Sequence, residues 1–149
     1  MSNSLLDALT AEELHCPVIT AGHPDYDRYR RVWNGIADRQ PLAIVRPQDV
    51  EDVQRAVRAA ASSRSLLAVR GGGHSLPGLS TCNDGLVIDL SLIRSVVIDN
   101  NAQTVDVGGG ALLGDLDRAT IPKGYIVPAG VISHTGVAGL TLGGGMGWA

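Results

Sequence analysis

Residues 41–74 read PLAIVRPQDVEDVQRAVRAAASSRSLLAVRGGGH, and how this run divides decides the fold. PLAIVRP (41–47) is a short apolar run bounded by prolines, the pattern of a buried strand. DVEDVQRAVRAAASS (49–63) then places Val50, Val53, Val57 and Ala60 at helical spacing. Asp49 is a natural N-cap, and Glu51 and Asp52 suit the positive end of the helix dipole. SLLAVRG (65–71) is the next strand. Strand, helix and strand form a βαβ unit, which predicts two parallel, adjacent strands. The loop that follows, VRGGGHSLPG (69–78), then lies at the carboxyl end of a strand, where parallel sheets bind ligands.

Downstream the rhythm changes. GLVIDL (85–90) reads as a strand and SLIR (91–94) as a single turn. SVVIDNNAQTVDVGGG (95–110) reads as a hairpin turning at Asn100-Asn101, residues that tolerate left-handed backbone. ALLGDLDRATIPKG (111–124) is a helix with Leu112, Leu113 and Leu116 inward and Gly124 past its end. YIVPAGVISHTGVAGLTLGGGMGW (125–148) is an irregular loop that enters a short helix near Thr135 and then a glycine turn. Upstream, residues 1–24 read as a peripheral lead-in with one short helix, capped by Ser4 and presenting Leu5, Leu6 and Leu9 on one face. Residues 23–41 are polar and turn-rich, with Trp33 as their best anchor. The expected fold class is α+β: a small parallel βαβ layer followed by a mainly antiparallel β subdomain, with no solenoid repeat.

The whole chain narrows the function classes. It has 149 residues, enough for one domain with a real core, a net charge of −3 and no basic cluster. That composition argues against nucleic-acid and membrane-surface partners. Phenylalanine is absent, so Val, Leu, Ile and Ala must build the core. The N-terminus lacks the features of a signal peptide, and no apolar run reaches membrane-spanning length. Cys16 and Cys82 are far apart with no C-x-x-C spacing, so reduced, buried or idle thiols and a cytoplasmic location are expected. The stop in LTLGGGMGWA, inside a Gly-rich segment, leads to the expectation of a longer protein.

The nineteen glycines cluster at 71–73, 108–110 and 143–145, and three readings compete. Gly108, Gly110 and Gly114 superficially match a dinucleotide turn. Against it, the preceding strand is the second arm of a hairpin, and no acidic strand end follows at about 20 residues to hold a ribose. A phosphate-binding P-loop needs Lys-Ser or Lys-Thr after its glycines, and GGGHSLPG has no lysine. A glycine nest needs neither, because successive backbone N–H groups hold the phosphate themselves. RGGGHS offers such a run with Ser75 as an extra donor, and a histidine at its edge that can reach a reactive ring.

The segments IVRPQDVEDVQRAV, LLAVRGGGHSLPGLS, GLVIDLSLIRSVVID, VDVGGGALLGDLDRA and GVAGLTLGGGMGW, in this order and spacing, resemble the N-terminal FAD-binding (PCMH-type) domain of the berberine bridge enzyme-like oxidases, within the vanillyl-alcohol oxidase group. The resemblance covers about residues 33–149 and leaves 1–32 as the lead-in. It rests on the R-x-G-G-H loop together with the later glycine segment.

The resemblance implies FAD bonded covalently through His74 to the flavin 8α-methyl carbon. It implies a pyrophosphate wrapped by Arg70, Gly71, Gly72, Gly73, His74 and Ser75, a loop continued by Gly78 and Leu79, and flavin contacts from Thr135, Gly136, Gly139 and Leu140. Arg70 can equally be structural, capping the strand end, and His134 can bond the flavin or simply face solvent. Some relatives carry a second link through a cysteine; the matching position is Ile132, so a single link is expected. Thr135 falls where the family controls oxygen access, and leaves oxidase and dehydrogenase chemistry both open. His15, His23 and His134 show no ligand spacing to His74, so no metal is expected. The substrate pocket and catalytic base of the family come mostly from later sequence, so no catalytic residue is assigned here. The expectation is the cofactor-binding part of an oxidoreductase that oxidises a small molecule at a C–H bond beside O or N. The alternative is a truncated, non-catalytic domain that binds flavin weakly or not at all.

Overall fold

A computed structural model describes residues 4–147. Trp148, the last residue of the final glycine segment, lies outside the described residues. The elements in chain order are α1 (Leu5–Ala11), β1 (Val18–Ile19), α2 (Tyr26–Arg30), β2 (Ala43–Val45), α3 (Val50–Ser63), β3 (Leu67–Arg70), β4 (Leu86–Asp89), β5 (Val96–Asp99), β6 (Thr104–Val107), α4 (Leu113–Thr120) and α5 (Val137–Gly143). The fold is α+β, a four-stranded mixed sheet followed by an antiparallel hairpin.

The βαβ unit forms, and its strands are parallel but not adjacent. The sheet order is β1-β2-β4-β3, with β4 inserted between β2 and β3 and parallel to both. Burial explains the placement. LVID of β4 is buried at every position and takes the centre, whereas β3 leaves Val69 exposed and takes an edge. Alternation then assigns the two faces. Ala43, Val45, Leu86 and Ile88 meet α1 and α3 on one side, and Ile44, Val87 and Ala68 meet Ile19, Tyr26 and Cys82 on the other.

On α3, Asp49 caps as expected, its carboxylate accepting from the Asp52 N–H. The buried stripe is Asp52, Ala56, Ala59 and Ala60, not the valines; Val50 is 66% and Val57 42% exposed. A face of alanines lets the helix approach the sheet closely, which a valine face would prevent. Asp52 accepts the His15 N–H at 3.0 Å and so fastens the chain before β1 onto this helix.

The N-terminal segment is therefore not peripheral. Leu5, Ala8, Leu9 and Cys16 belong to the core, while Leu6 is exposed, and β1 extends the main sheet. Ser4 caps α1 reciprocally with Asp7. Trp33 is 59% exposed and anchors no core; its partner is described below. Cys16 and Cys82 are free and buried. Burial, with Asp52 adding to it, pushes the Cys16 thiol up to about 12, and burial also raises Cys82, so neither is a ready nucleophile. Among the described residues no helix is long and apolar enough to cross a membrane.

Candidate cofactor groove

The Gly71–His74 loop leaves the carboxyl end of β3 and meets the segment leading into α5 backbone to backbone. A Cβ on Gly72 would lie 2.2 Å from the Gly136 nitrogen and 2.6 Å from its Cα; one on Gly136 would lie 2.3 Å from the Gly72 nitrogen. Only two glycines permit this approach. The 133–137 segment is held from its far side by α4. Leu113 N–H donates to the Thr135 carbonyl at 2.9 Å, Gly114 N–H to Ser133 at 2.8 Å, and Val137 N–H to Ala111 at 2.9 Å.

The start of α4 depends on Asp115. Its carboxylate accepts the Leu112 N–H at 2.9 Å and pairs with Arg94 at 2.6 Å and with Arg118. Burial alone would raise this carboxyl, but the Leu112 N–H and the two guanidiniums outweigh it and hold it below the usual carboxylate range. A folded-state pKa below the unfolded value gives stability that is present above about pH 4 and lost as pH falls through the folded value. Asp115→Ala is expected to cost about 1–2 kcal/mol, read as a lower urea midpoint at pH 7, with the deficit shrinking in acid.

Between the two segments lies an open groove of about 920 Å³. Gly71, Gly72, Gly73, His74, Ser75 and Leu79 line one side, and Thr135, Gly136, Gly139 and Leu140 the other. Ten of the twelve positions picked out in the sequence thus share one cavity. Gly78 and Arg70 are outside its lining. Gly78, at φ +73°, makes the loop's turn against Ala37. The Arg70 guanidinium donates to the Tyr29 carbonyl and lies against Gly73, which favours its structural role.

The groove is equipped for a phosphate. Among the described residues, no hydrogen bond is made by the N–H groups of Gly72, Gly73, His74 or Ser75. The Ser75 hydroxyl accepts from Leu79 N–H at 3.0 Å and so braces the loop. Ser80 also lines the groove; its buried hydroxyl has no partner among the described residues.

His74 stands within this row. Trp33 stacks on its ring at 5.2 Å and 19°, and Trp33 N–H donates to the Gly73 carbonyl at 3.0 Å. Asn34 ties the same segment to the loop through the Leu76 carbonyl at 2.6 Å. His74 Nε2 lies 2.7 Å from His134 Nδ1. Burial pushes the His74 imidazole below its ordinary 6.5, and the neighbouring His134 ring adds to this. Sequence reasoning missed Ser80 as an open donor, Trp33 as the ring partner of His74 and His134 as its hydrogen-bond partner. All are long-range relations with no local signature.

The other early glycines have a different purpose. A Cβ on Gly110 would lie 1.7 Å from the Leu90 carbonyl oxygen, and one on Gly108 2.4 Å from that of Ile93. They pack the hairpin end onto the 90–93 turn and do not line this groove, which argues against the dinucleotide-turn reading. Among the described residues no group of three metal-ligating side chains converges.

Comparison with known proteins places these observations. The FAD binding domain family matches residues 41–149. An FAD-linked oxidoreductase of Dictyostelium discoideum is 37% identical over 137 residues, 91% of this chain and 30% of that protein. The (R)-6-hydroxynicotine oxidase of Paenarthrobacter nicotinovorans is 33% identical over 129 residues, 85% of this chain and 28% of that protein. The crystal structure of 6-hydroxy-D-nicotine oxidase from Arthrobacter nicotinovorans superposes with a TM-score of 0.88 at 31% identity, over 92% of this chain and 30% of that one. A berberine bridge enzyme-like protein of Physcomitrella patens gives 0.85 at 31% identity, over 97% and 32%. The chain spans about 30% of the length of these relatives.

Proposed function

The chain belongs to the FAD binding domain family, and from that premise we propose that it holds FAD in the 71–75/132–140 groove through a single covalent bond from His74 to the 8α-methyl carbon. The observation that carries the reading is the row of open N–H groups from Gly72 to Ser75 with the His74 imidazole among them. The fit rests on this chain's own features. The Gly72–Gly136 contact leaves backbone, not side chains, at the groove floor, and the Ser80 hydroxyl is a buried donor without a partner among the described residues. A pyrophosphate supplies acceptors for both.

When bound, FAD supplies hydride acceptance from a small-molecule substrate, at a C–H bond beside oxygen or nitrogen, and passes the electrons to an acceptor. The residues of this chain bind and orient it. The Gly72, Gly73 and Ser75 N–H groups would hold phosphate, and Thr135 and Gly136 would contact the flavin. Ile132, in the groove wall, offers no nucleophile for a second bond, so a single attachment through His74 is expected. Burial and the neighbouring His134 ring lower the His74 imidazole below its ordinary 6.5, which favours the neutral, nucleophilic form at pH 7.

The test is retention of flavin. The chain purified with FAD should be yellow, and the colour should stay in the pellet after acid precipitation. A colourless protein would favour the reading as a non-catalytic domain without flavin, and colour released wholly into the supernatant would overturn the covalent bond.

A further inference from the structure

We infer that His134 is a positioning residue for the covalent bond of His74, acting as the acceptor for the His74 Nε2 proton; this rests on the reading of His74 as the attachment site. The two rings are 2.7 Å apart, His74 Nε2 to His134 Nδ1, although they are 60 residues apart in sequence. Their centroids lie 4.7 Å apart.

A neutral imidazole has one N–H and one lone pair, so the direction of this hydrogen bond sets what His74 can do. If His134 donates, its hydrogen occupies the His74 Nε2 lone pair and Nδ1 carries the proton; no lone pair is free to attack. If His74 donates, its Nδ1 keeps a free lone pair. Only the second arrangement makes a nucleophile. It also puts His134 Nδ1 where the surplus proton must go. As the C–N bond forms from Nδ1, one C–H bond of the 8α-methyl group breaks and its proton leaves to solvent. The Nε2 proton passes to His134 Nδ1. The remaining electron pair stays on the flavin ring system until dioxygen removes it.

The surroundings suit this role. Trp33 covers one face of His74, so the ring cannot swing freely, and His134 is exposed and can release a proton to water. The burial and His134 that lower His74 include no carboxylate. The Arg70 guanidinium lies against Gly73, the residue before His74, and is engaged with the Tyr29 carbonyl.

The experiment mixes flavin-free chain with FAD and follows fluorescence that stays with the protein on a denaturing gel, over time and across pH 5–8. Non-covalent uptake is followed separately by quenching. His134→Ala should bind FAD but couple at least about tenfold more slowly. Added imidazole should accelerate it in proportion to its neutral fraction, and His134→Gln, whose carbonyl oxygen accepts the same N–H, should recover part of the rate. If His134→Ala fails to bind FAD, His134→Gln and the pH profile of the parent carry the test. The parent rate should then hold at neutral pH and fall in acid, and His134→Gln should fall between parent and zero. Coupling by His134→Ala or His134→Gln at the parent rate, with the same pH profile, overturns the role of His134. Loss of coupling in His74→Ala with that result leaves the His74 assignment standing; absence of coupling in the parent itself overturns both.

Discussion

Gly72→Ala and Gly136→Ala are each expected to abolish measurable FAD binding while the sheet stays folded. The added methyl in either case falls 2.2–2.3 Å from a backbone nitrogen of the opposite segment. Backbone has no rotamer with which to escape, and ordinary contact needs about 3.5 Å. The segments must therefore separate by roughly 1 Å or more. The 133–137 side cannot yield cheaply, because residues 111–114 hold it through three backbone hydrogen bonds. The 71–74 side is tied to Trp33 and Asn34. Either way the open N–H groups and the far wall of the groove lose their mutual placement. The sheet core does not include these glycines, so the cost in stability should be about 1–3 kcal/mol, the range for overpacking. Flavin quenching should show at least a hundredfold weaker binding, and far-UV circular dichroism should be unchanged. Gly22→Ala is the control, since a methyl there meets nothing within 4 Å.

His74→Ala is expected to convert retained flavin entirely into extractable flavin. The substitution removes the nucleophile but not the N–H donors at Gly72, Gly73 and Ser75, so the non-covalent affinity should fall by about tenfold or less. It also removes the ring that Trp33 stacks on and the partner of His134. Acid precipitation should leave a colourless pellet and a yellow supernatant, where the parent leaves the reverse. The pH dependence of coupling in the parent has a definite sign. Burial and His134 hold His74 below 6.5, so the neutral form persists at pH 7 and coupling should fade only as pH drops through that lowered value.

Much of this architecture is legible in the residues. The prolines and apolar run at 41–47 and the Asp49 cap are local signals, and local physics decides them; the hairpin also forms, but its turn spans residues 100–103 and the left-handed residue is Gln103 (φ +53°), not Asn100 or Asn101. Strand order is not local. Nothing in β2, α3 or β3 announces that LVID at 86–89 will insert between the two strands; only its burial on both faces does. The buried face of α3 followed small size and not hydrophobicity, so alanines displaced valines. Likewise, the glycines at 71–73 and 108–110 look alike in sequence. One set opens a groove, while in the other Gly108 and Gly110 pack on the Ile93 and Leu90 carbonyls, a difference set by neighbours far along the chain. His134 is the sharpest case. Its position beside a loop suggested solvent or flavin, and it is indeed exposed, yet its ring meets His74.

Peptide mass spectrometry of the FAD-loaded chain tests the central claim most directly. Cleavage after Arg70 and Arg94 releases residues 71–94, which contain one histidine, His74, and one cysteine, Cys82. This peptide should carry the mass of FAD, and fragmentation should place it on His74. An unmodified 71–94 peptide from yellow protein would contradict that claim, as would flavin on Cys82 or on the 124–149 peptide that carries His134.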